Sequence, residues 1–206
     1  MVNLAKSEEG IPIAPDAFDR EPWLVTVRNG ALELRAGTLR AHRPEDYITK
    51  LAPVVYDPGA TAQQVSDAVN AGRGIINYCG HGSATSWGTT GFSNGDVNNL
   101  VNKDQLPFIV SVACNNGEFH HYDTCFAEAW LRANKDGRPT GAVSMYASSV
   151  SQSWAPPMEA QDEFNLRFTD PTEPYHSIGA LYFAGGSSMM DKYGSGGVDM
   201  FDTWIV

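Results

Sequence analysis

The sequence predicts an α/β protein in which helices cover both faces of a mostly parallel β-sheet. Apolar runs of strand length alternate with segments of helical periodicity, and this alternation implies crossover connections between parallel strands. Hydrophobic residues make up 42% of the 206 residues and charged residues 18%. The chain therefore has enough apolar material for a core and is not disordered. Its length favours a single domain.

The first half of the chain contains three predicted strands and two predicted helices. Residues 2–5 are expected to form a strand, residues 20–36 a helix, and residues 52–56 a short apolar strand closed by an Asp-Pro-Gly turn. Thr61 then caps a helix whose apolar positions recur at helical spacing. Residues 75–79 follow as a strand that would be buried on both faces of a parallel sheet.

The second half repeats the alternation. Helices are predicted over residues 96–101, 122–135, 158–168 and 177–193, and strands over residues 106–113 and 141–147. Residues 10–22 and 194–198 are the loosest in composition. The last residues, 202–206, resemble the beginning of a strand. Residues 1–206 are therefore expected to be one catalytic subdomain, truncated at both ends.

Composition and charge exclude several classes of protein. The formal net charge is −10, whereas a nucleic-acid binder is expected to carry a basic surface. No apolar run approaches the ~20 residues of a membrane span. The first residues lack the basic-then-apolar pattern of a signal peptide. Three cysteines, an odd number, do not indicate a disulfide framework.

Two predicted strands lead directly into residues that can perform chemistry, His81 after residues 75–79 and Cys114 after residues 106–113. Ligands bind beyond the carboxyl ends of the strands in an open parallel sheet. Adjacent strands lie about 4.8 Å apart, so the imidazole and the thiol are expected to face each other across one crevice. A thiolate attacks carbonyl groups and an imidazole moves protons at neutral pH, which suits acyl transfer.

The backbone around these two side chains can supply an oxyanion hole. Glycines flank His81, and they let a substrate backbone approach closely while their N–H groups point at an oxyanion. The N–H of Cys114, at a strand end entering a turn, is the second expected donor. The structural alternatives are that a free cysteine fills volume in the core and that a histidine between glycines is a turn residue. Cys79 and Cys125 are predicted to be core residues of that kind.

Two competing chemistries have weaker support in the sequence. Ser83 does not lie in the G-x-S-x-G elbow of the serine hydrolases and is expected to be a turn hydroxyl. A dense group of possible metal ligands lacks the spaced pairs typical of zinc sites, so a solvated loop is the favoured interpretation. The group consists of His120, His121, Asp123 and Cys125.

Four segments carry a family resemblance: IINYCGHGSATSWG (75–88), LPFIVSVACNNGEF (106–119), CFAEAWLRANKDGRPTGAV (125–143) and QSWAPPMEAQDEFN (152–165). They resemble the catalytic domain of the gingipains, which are secreted bacterial cysteine endopeptidases. The resemblance is close over residues 55–170 and loose over residues 1–55. His81 precedes Cys114 by 33 positions. Caspases share the order but have a gap of about 50 residues. The resemblance implies a caspase-like three-layer αβα sandwich.

The resemblance also implies roles for individual residues. Cys114 matches the nucleophile of the family and His81 its catalytic histidine. Gly82 and Cys114 match the donors of the oxyanion hole. Glu8 matches an acidic residue that supports the histidine, with Glu9 as an alternative.

The same resemblance implies a basic residue at P1 of the substrate. Trp154 and Met158 match the walls of the S1 pocket in arginine-specific members, and Asp19 matches its acidic floor. If Asp19 is not the floor, it is a solvated residue at the beginning of the predicted helix over residues 20–36.

The expected function is therefore hydrolysis of protein or peptide substrates by a cysteine endopeptidase, with Arg preferred over Lys at P1. The resemblance implies a secreted or cell-surface protein and further N- and C-terminal parts of the same catalytic unit. No cofactor is required for the chemistry, and the resemblance allows a structural calcium ion. The alternatives are a non-catalytic interaction domain with a peptidase fold and a metal-dependent hydrolase that uses His81, His120 and His121.

Overall fold

The computed structural model describes residues 13–205, except residues 22, 34, 35, 37 and 175. The chain divides into two compact units, residues 1–59 and residues 60–206. The sequence predicts one domain and gives no sign of this division. That both units are parts of one catalytic piece stays a prediction. The strand predicted at residues 2–5 lies outside the described residues.

The first unit contains a three-stranded antiparallel sheet of β1 (Leu24–Val27), β2 (Gly30–Glu33) and β3 (Thr38–Arg40), in that spatial order. The helix predicted over residues 20–36 is therefore wrong. The β-branched run in β1 favours a strand, and a two-residue turn places Val27 opposite Gly30. Two short 3₁₀ turns, Pro15–Ala17 and Pro44–Asp46, lie before and after this sheet in the chain.

The strand predicted over residues 52–56 is also wrong. Ala52 alone forms an isolated bridge, which pairs it with Val27. Pro53 has no N–H to donate to a ladder. Val54 and Val55 are 56% and 63% exposed, so this apolar run does not enter a core.

The second unit contains, in chain order, α1 (Ala62–Asn70), β4 (Ile75–Cys79), β5 (Gly82–Ser83), β6 (Ser86–Trp87), α2 (Asn94–Val97), β7 (Phe108–Val112), α3 (Phe126–Arg132), β8 (Asn134–Lys135), β9 (Arg138–Pro139), β10 (Ser144–Ser148), α4 (Ala155–Thr169), α5 (Ile178–Tyr193), α6 (Ser195–Phe201) and β11 (Trp204–Ile205). The predicted strands and helices of this region are present with shifted bounds, except that only residues 96 and 97 of the helix predicted over 96–101 are helical and that residues 134–135, predicted as helix, form β8. Thr61 caps α1 as expected, since its side chain accepts from the Gln64 N–H and the Gln64 side chain accepts from the Thr61 N–H at 2.7 Å.

The main sheet of this unit has the strand order β11-β10-β7-β4. Strands β10, β7 and β4 are parallel, and β11 is antiparallel to β10. The mostly parallel sheet is thus confirmed. Two hairpins, β5 with β6 and β8 with β9, lie outside it.

Alternate side chains of the sheet enter two separate cores. Ile109 and Met145 belong to a core with Phe126 and Trp130 of α3, and this core also contains residues of α1 and α2. Their strand neighbours Val110 and Tyr146 belong to a second core with residues of α4 and α5. Helices therefore cover both faces of the sheet, and the three-layer αβα prediction is confirmed.

Strand β4 lies at the edge of this sheet among the described residues, which corrects the prediction of burial on both faces. Asn77 and Cys79 are exposed, and the remaining three residues of the strand are half-buried. Cys79 is therefore not a core residue. Cys125 is fully buried at the N-cap of α3, as predicted.

Residues 195–198, grouped by composition with the loosest part of the chain, lie in α6. The glycines there serve close packing, because a Cβ at Gly197 would collide with the backbone of Met189 and Met190 in α5. No helix in the described part of the chain is long and apolar enough to cross a membrane.

Candidate active site

The sheet register brings the predicted thiol and imidazole to one edge. Cys79 of β4 pairs with Val112 of β7, and the ladder continues as the Gly80 N–H donates to the Val112 carbonyl at 3.1 Å. His81 and Cys114 each come two residues after this pair, so they occupy corresponding positions beyond the carboxyl ends of adjacent parallel strands. This is the location where open parallel sheets bind ligands.

Cys114 opens a tight turn. Asn115 has a φ of 62°, and its N–H donates to the Val150 carbonyl at 3.0 Å. The thiol is half-buried, and its Sγ lies 3.7 Å from the Gln152 carbonyl oxygen. Within the described residues, the N–H of Cys114 donates no hydrogen bond. This arrangement leaves both the thiol and the N–H of Cys114 available to a ligand.

Asn116 ties the loop after β4 to the loop after β7. It is fully buried, and its Oδ1 accepts from the Ser111 hydroxyl at 2.8 Å. Its Nδ2 donates to the carbonyls of Ser83 at 2.8 Å and Ser86 at 3.1 Å. Sequence reasoning missed this role, although a polar residue two positions after a candidate nucleophile at a strand end was a usable signal.

An aromatic cluster supports the loop that carries His81. The Trp87 ring stacks on Tyr78 at 4.5 Å between centroids, and its Nε1 donates to the Ser111 hydroxyl at 3.0 Å. The Tyr78 hydroxyl in turn donates to the His81 carbonyl at 2.8 Å, and the Gly88 N–H donates to the same oxygen at 2.7 Å. The backbone of His81 is thereby fixed while its side chain stays exposed.

The two predicted walls of S1 lie together at the beginning of α4. Trp154 is the N-cap residue, and the Met158 N–H donates to its carbonyl at 3.1 Å. Both side chains are partly exposed, at 48% and 38%. The Trp154 ring meets the His81 ring edge-on, with centroids 5.5 Å apart. The structure thus brings Trp154 to the imidazole as well as to Met158.

Gln152 is a second residue that sequence reasoning missed. Its carbonyl contacts Cys114 Sγ, and its Oε1 accepts from Trp204 Nε1 at 2.9 Å. Its Nε2 is buried, and within the described residues it has no hydrogen-bond partner. A buried amide donor without a partner is costly.

Gly82 packs so closely against the Cys114 turn that no side chain fits there. A Cβ would lie 2.6 Å from the Cys114 carbonyl oxygen and 2.8 Å from the Ala113 Cβ. Gly82→Ala is therefore expected to destabilise the fold by about 1–3 kcal/mol, as overpacking does. Urea unfolding measures the change. Gly179→Ala is the control, because the added methyl meets no atom within 4 Å apart from its chain neighbours and the backbone of its own helix. Equal destabilisation by both substitutions would contradict this packing.

The proposed acidic floor, Asp19, lies in the first unit. Its carboxylate accepts from the Thr49 N–H at 2.8 Å and the Thr49 hydroxyl at 2.6 Å. These hydrogen bonds hold the pKa of Asp19 below its usual value. Asp19 and Glu21 line a cavity of about 430 Å³, which Lys50 also lines. Asp19 is thus an ionised carboxylate at a cavity, and its predicted role as the S1 floor stays a prediction.

The remaining residues that the sequence analysis considered for a site lie in three different places. Glu8, with Glu9, lies outside the described residues. The Ser83 hydroxyl lies 2.9 Å from that of Ser86 in the β5–β6 hairpin, which agrees with a turn role. Glu118, His120 and His121 come together, with ligand atoms within 4.8 Å of one another.

In the described part of the chain, that cluster includes neither His81 nor the buried Cys125, so the three-histidine metal hydrolase has no assembled site there. Calcium prefers oxygen ligands, so a donor set with two imidazoles does not suit it.

Comparisons with known proteins identify the family of the chain. A model of peptidase family C25 matches residues 36–205. The chain belongs to peptidase family C25. Glu8 and Asp19 lie outside the matched residues. A second family model, described as D5 N terminal like, matches residues 1–70.

Individual relatives are gingipains. The chain is 48% identical to gingipain R2 of Porphyromonas gingivalis over 153 aligned residues. These residues make up 73% of this chain and 21% of gingipain R2. Over 86 residues it is 31% identical to Lys-gingipain of the same organism, covering 42% of this chain and 5% of that protein. The chain thus spans about a fifth of the length of gingipain R2.

The fold agrees as well. The crystal structure of the Arg-specific cysteine proteinase gingipain R matches with a TM-score of 0.70 and 46% identity, covering 76% of this chain and 36% of that chain. The resemblance to the gingipains is therefore confirmed in both sequence and fold.

Proposed function

We propose that this C25 chain carries the catalytic centre of a cysteine endopeptidase, with Cys114 as nucleophile and His81 as its proton-transfer partner. The observation that carries the proposal is the register of β4 and β7, which places the two residues at matching positions of one sheet edge. Membership of a peptidase family and the half-buried, accessible thiol support it.

In the proposed mechanism, His81 takes the thiol proton and Cys114 Sγ attacks the scissile carbonyl. The N–H groups of Cys114 and Gly82 stabilise the oxyanion that forms. His81 then protonates the leaving amine, a thioester remains on Cys114, and water hydrolyses it. Each step uses groups of the chain, the substrate and water. No metal or cofactor is therefore proposed for the chemistry.

Gln152 has a proposed part in positioning the thiol, and Trp154 in positioning the substrate. The Gln152 carbonyl contacts Cys114 Sγ, and the Gln152 side chain is anchored by the hydrogen bond from Trp204 Nε1 to its Oε1. The exposed ring of Trp154 offers an apolar wall next to His81, and Met158 extends it by one helical turn. A long P1 side chain would pack its aliphatic part along this wall.

A basic P1 residue is proposed on the basis of Asp19. A guanidinium engages a carboxylate with two hydrogen bonds, whereas an ammonium makes a point contact, so Arg is expected to be preferred over Lys. Asp19 is exposed in this structure. Asp19→Asn is expected to reduce kcat/KM on Arg substrates, because a neutral amide cannot form the charge-assisted, bidentate pair with a guanidinium.

The control for this substitution is Glu21→Gln, which changes the other carboxylate that lines the same cavity. Profiling against a library that varies P1 measures the preference, and reaction with a small thiol alkylator should be unaffected by either change. An unaltered Arg preference in Asp19→Asn would place the floor elsewhere.

The class of the enzyme is tested by inhibition of peptide hydrolysis. A thiol alkylator is expected to abolish activity, and a chelator is expected to leave it intact. The reverse pattern would favour the metal-dependent hydrolase. Hydrolysis absent in both the 206-residue chain and a longer C25 protein that contains it would favour the non-catalytic interaction domain.

The wider context of the chain is also proposed. Among the described residues, strand β4 is at the edge of the main sheet, and a further part of the same catalytic unit is the proposed partner for that edge. Protein or peptide substrates are the proposed ligands. Secretion or display at the cell surface, and a structural calcium ion, are carried over from the gingipain resemblance alone.

A further inference from the structure

The turn that begins at Cys114 continues into a cluster of metal-binding side chains that the proposed mechanism does not use. The Glu118 carboxylate and the imidazoles of His120 and His121 have ligand atoms that all lie within 4.8 Å of one another. His121 Nδ1 lies 2.7 Å from Glu118 Oε1. The two imidazole rings lie 4.1 Å apart between centroids.

These three side chains form a chemically coherent donor set. Two imidazoles with one carboxylate occur in zinc enzymes, where a fourth position stays open to water. Tetrahedral ligands at about 2.1 Å from an ion are separated by about 3.4 Å. The ligand atoms lie within 4.8 Å of one another, so binding an ion requires the side chains to rotate, and both imidazoles are on exposed residues.

The carboxylate of the cluster is held in place before any ion binds. Glu118 Oε2 accepts from Asn115 Nδ2 at 2.7 Å, and Asn115 Oδ1 accepts from the Ser151 hydroxyl at 3.0 Å. The Glu118 N–H donates to the Asn115 carbonyl at 3.1 Å, which closes the turn. A ligand with an oriented hydrogen-bond partner behind it is the usual arrangement in metal sites.

We propose that Glu118, His120 and His121 form a binding site for a divalent transition-metal ion of the zinc type, separate from the Cys114–His81 pair. Imidazole and carboxylate ligands suit zinc, nickel and copper better than calcium or magnesium. The ion would be bound at the outer end of the 114–118 turn and would hold that turn through Asn115. This site differs from the group of possible ligands in the sequence, where a solvated loop is the favoured interpretation, because it contains Glu118 and neither Asp123 nor the buried Cys125.

Zinc titration by calorimetry tests the proposal with the whole chain. The measurement uses the Cys79→Ser, Cys114→Ala background, so that no accessible thiolate competes for the ion. One zinc ion per chain is expected to bind. His120→Ala, His121→Ala and Glu118→Gln are each expected to weaken binding by at least about a hundredfold, since even second-shell changes cost ten- to a hundredfold.

His176→Ala is the matched control, because His176 is another exposed histidine of the same unit and lies outside the cluster. It is expected to leave the dissociation constant unchanged. Thermal unfolding without metal confirms that each variant is folded. Binding of cobalt should give d–d absorption without a thiolate charge-transfer band. Absence of saturable binding, or binding that the three cluster variants do not weaken, would overturn the proposal.

Discussion

Cys114→Ala is expected to lower kcat for peptide hydrolysis by about a thousandfold or more while the fold persists, because removing the nucleophile disables the whole catalytic unit. The thiol is half-buried with one weak contact to the Gln152 carbonyl, so its loss leaves little packing defect. Steady-state kinetics on an Arg substrate measures the rate, and circular dichroism measures the folded fraction.

The other two cysteines are the controls for this experiment. Cys79→Ala should change neither rate nor stability by much, since Cys79 is exposed on the edge strand and surface changes stay within about 0.5 kcal/mol. Cys125→Ala should destabilise the fold by about 1–2 kcal/mol, because Cys125 is fully buried. A comparable loss of kcat in all three variants, at equal folded fraction, would reject Cys114 as nucleophile.

Asn116→Ala is expected to lower both stability and kcat. The change leaves the Ser111 hydroxyl and the carbonyls of Ser83 and Ser86 without their partner, which costs about 2–3 kcal/mol. It also releases the His81 loop from the Cys114 turn, and a displacement of about 1 Å at reacting groups costs about a hundredfold in rate. We therefore expect Asn116 to act as a positioning residue.

Asn102→Ala separates positioning from stability alone. Asn102 is 2% exposed and makes three side-chain hydrogen bonds of 2.9 Å to the backbone of Gln105 and Gly141, away from the candidate site. Its loss should destabilise the fold to a similar degree and leave kcat, corrected for folded fraction, unchanged. An equal fall in kcat for both asparagine variants would show that Asn116 has no positioning role.

The sequence predicts the central part of the fold because local signals and tertiary structure agree there. Thr61 begins α1 as an N-cap, and the apolar runs at β4, β7 and β10 are strands of one parallel sheet. The alternation that produced this prediction also placed His81 and Cys114 at one edge. This placement can be predicted without knowing the tertiary contacts, because successive parallel strands end on the same side of the sheet.

The wrong and missed predictions have a different origin. They concern features that depend on which distant parts of the chain pack or pair with a segment. Cys79 has the sequence environment of a buried strand, yet its strand is at the edge of the sheet that the described residues form. Gly197 has poor helix propensity but permits α6 to pack on α5. The roles of Asn116 and Gln152 depend on hydrogen-bond partners that are distant in sequence, Ser83 and Trp204. Burial and hydrogen-bond partners of this kind follow from topology rather than from local pattern.

The most direct test of the proposed catalytic centre is labelling with a peptidyl electrophile that carries Arg at P1, followed by mass spectrometry to locate the adduct. The folded chain is expected to acquire a single adduct on Cys114, and prior unfolding in urea should make Cys79, Cys114 and Cys125 react alike. An acidic residue at P1 should suppress labelling of the folded chain. An adduct on the exposed Cys79, or labelling of Cys114 that is indifferent to P1, would contradict the account.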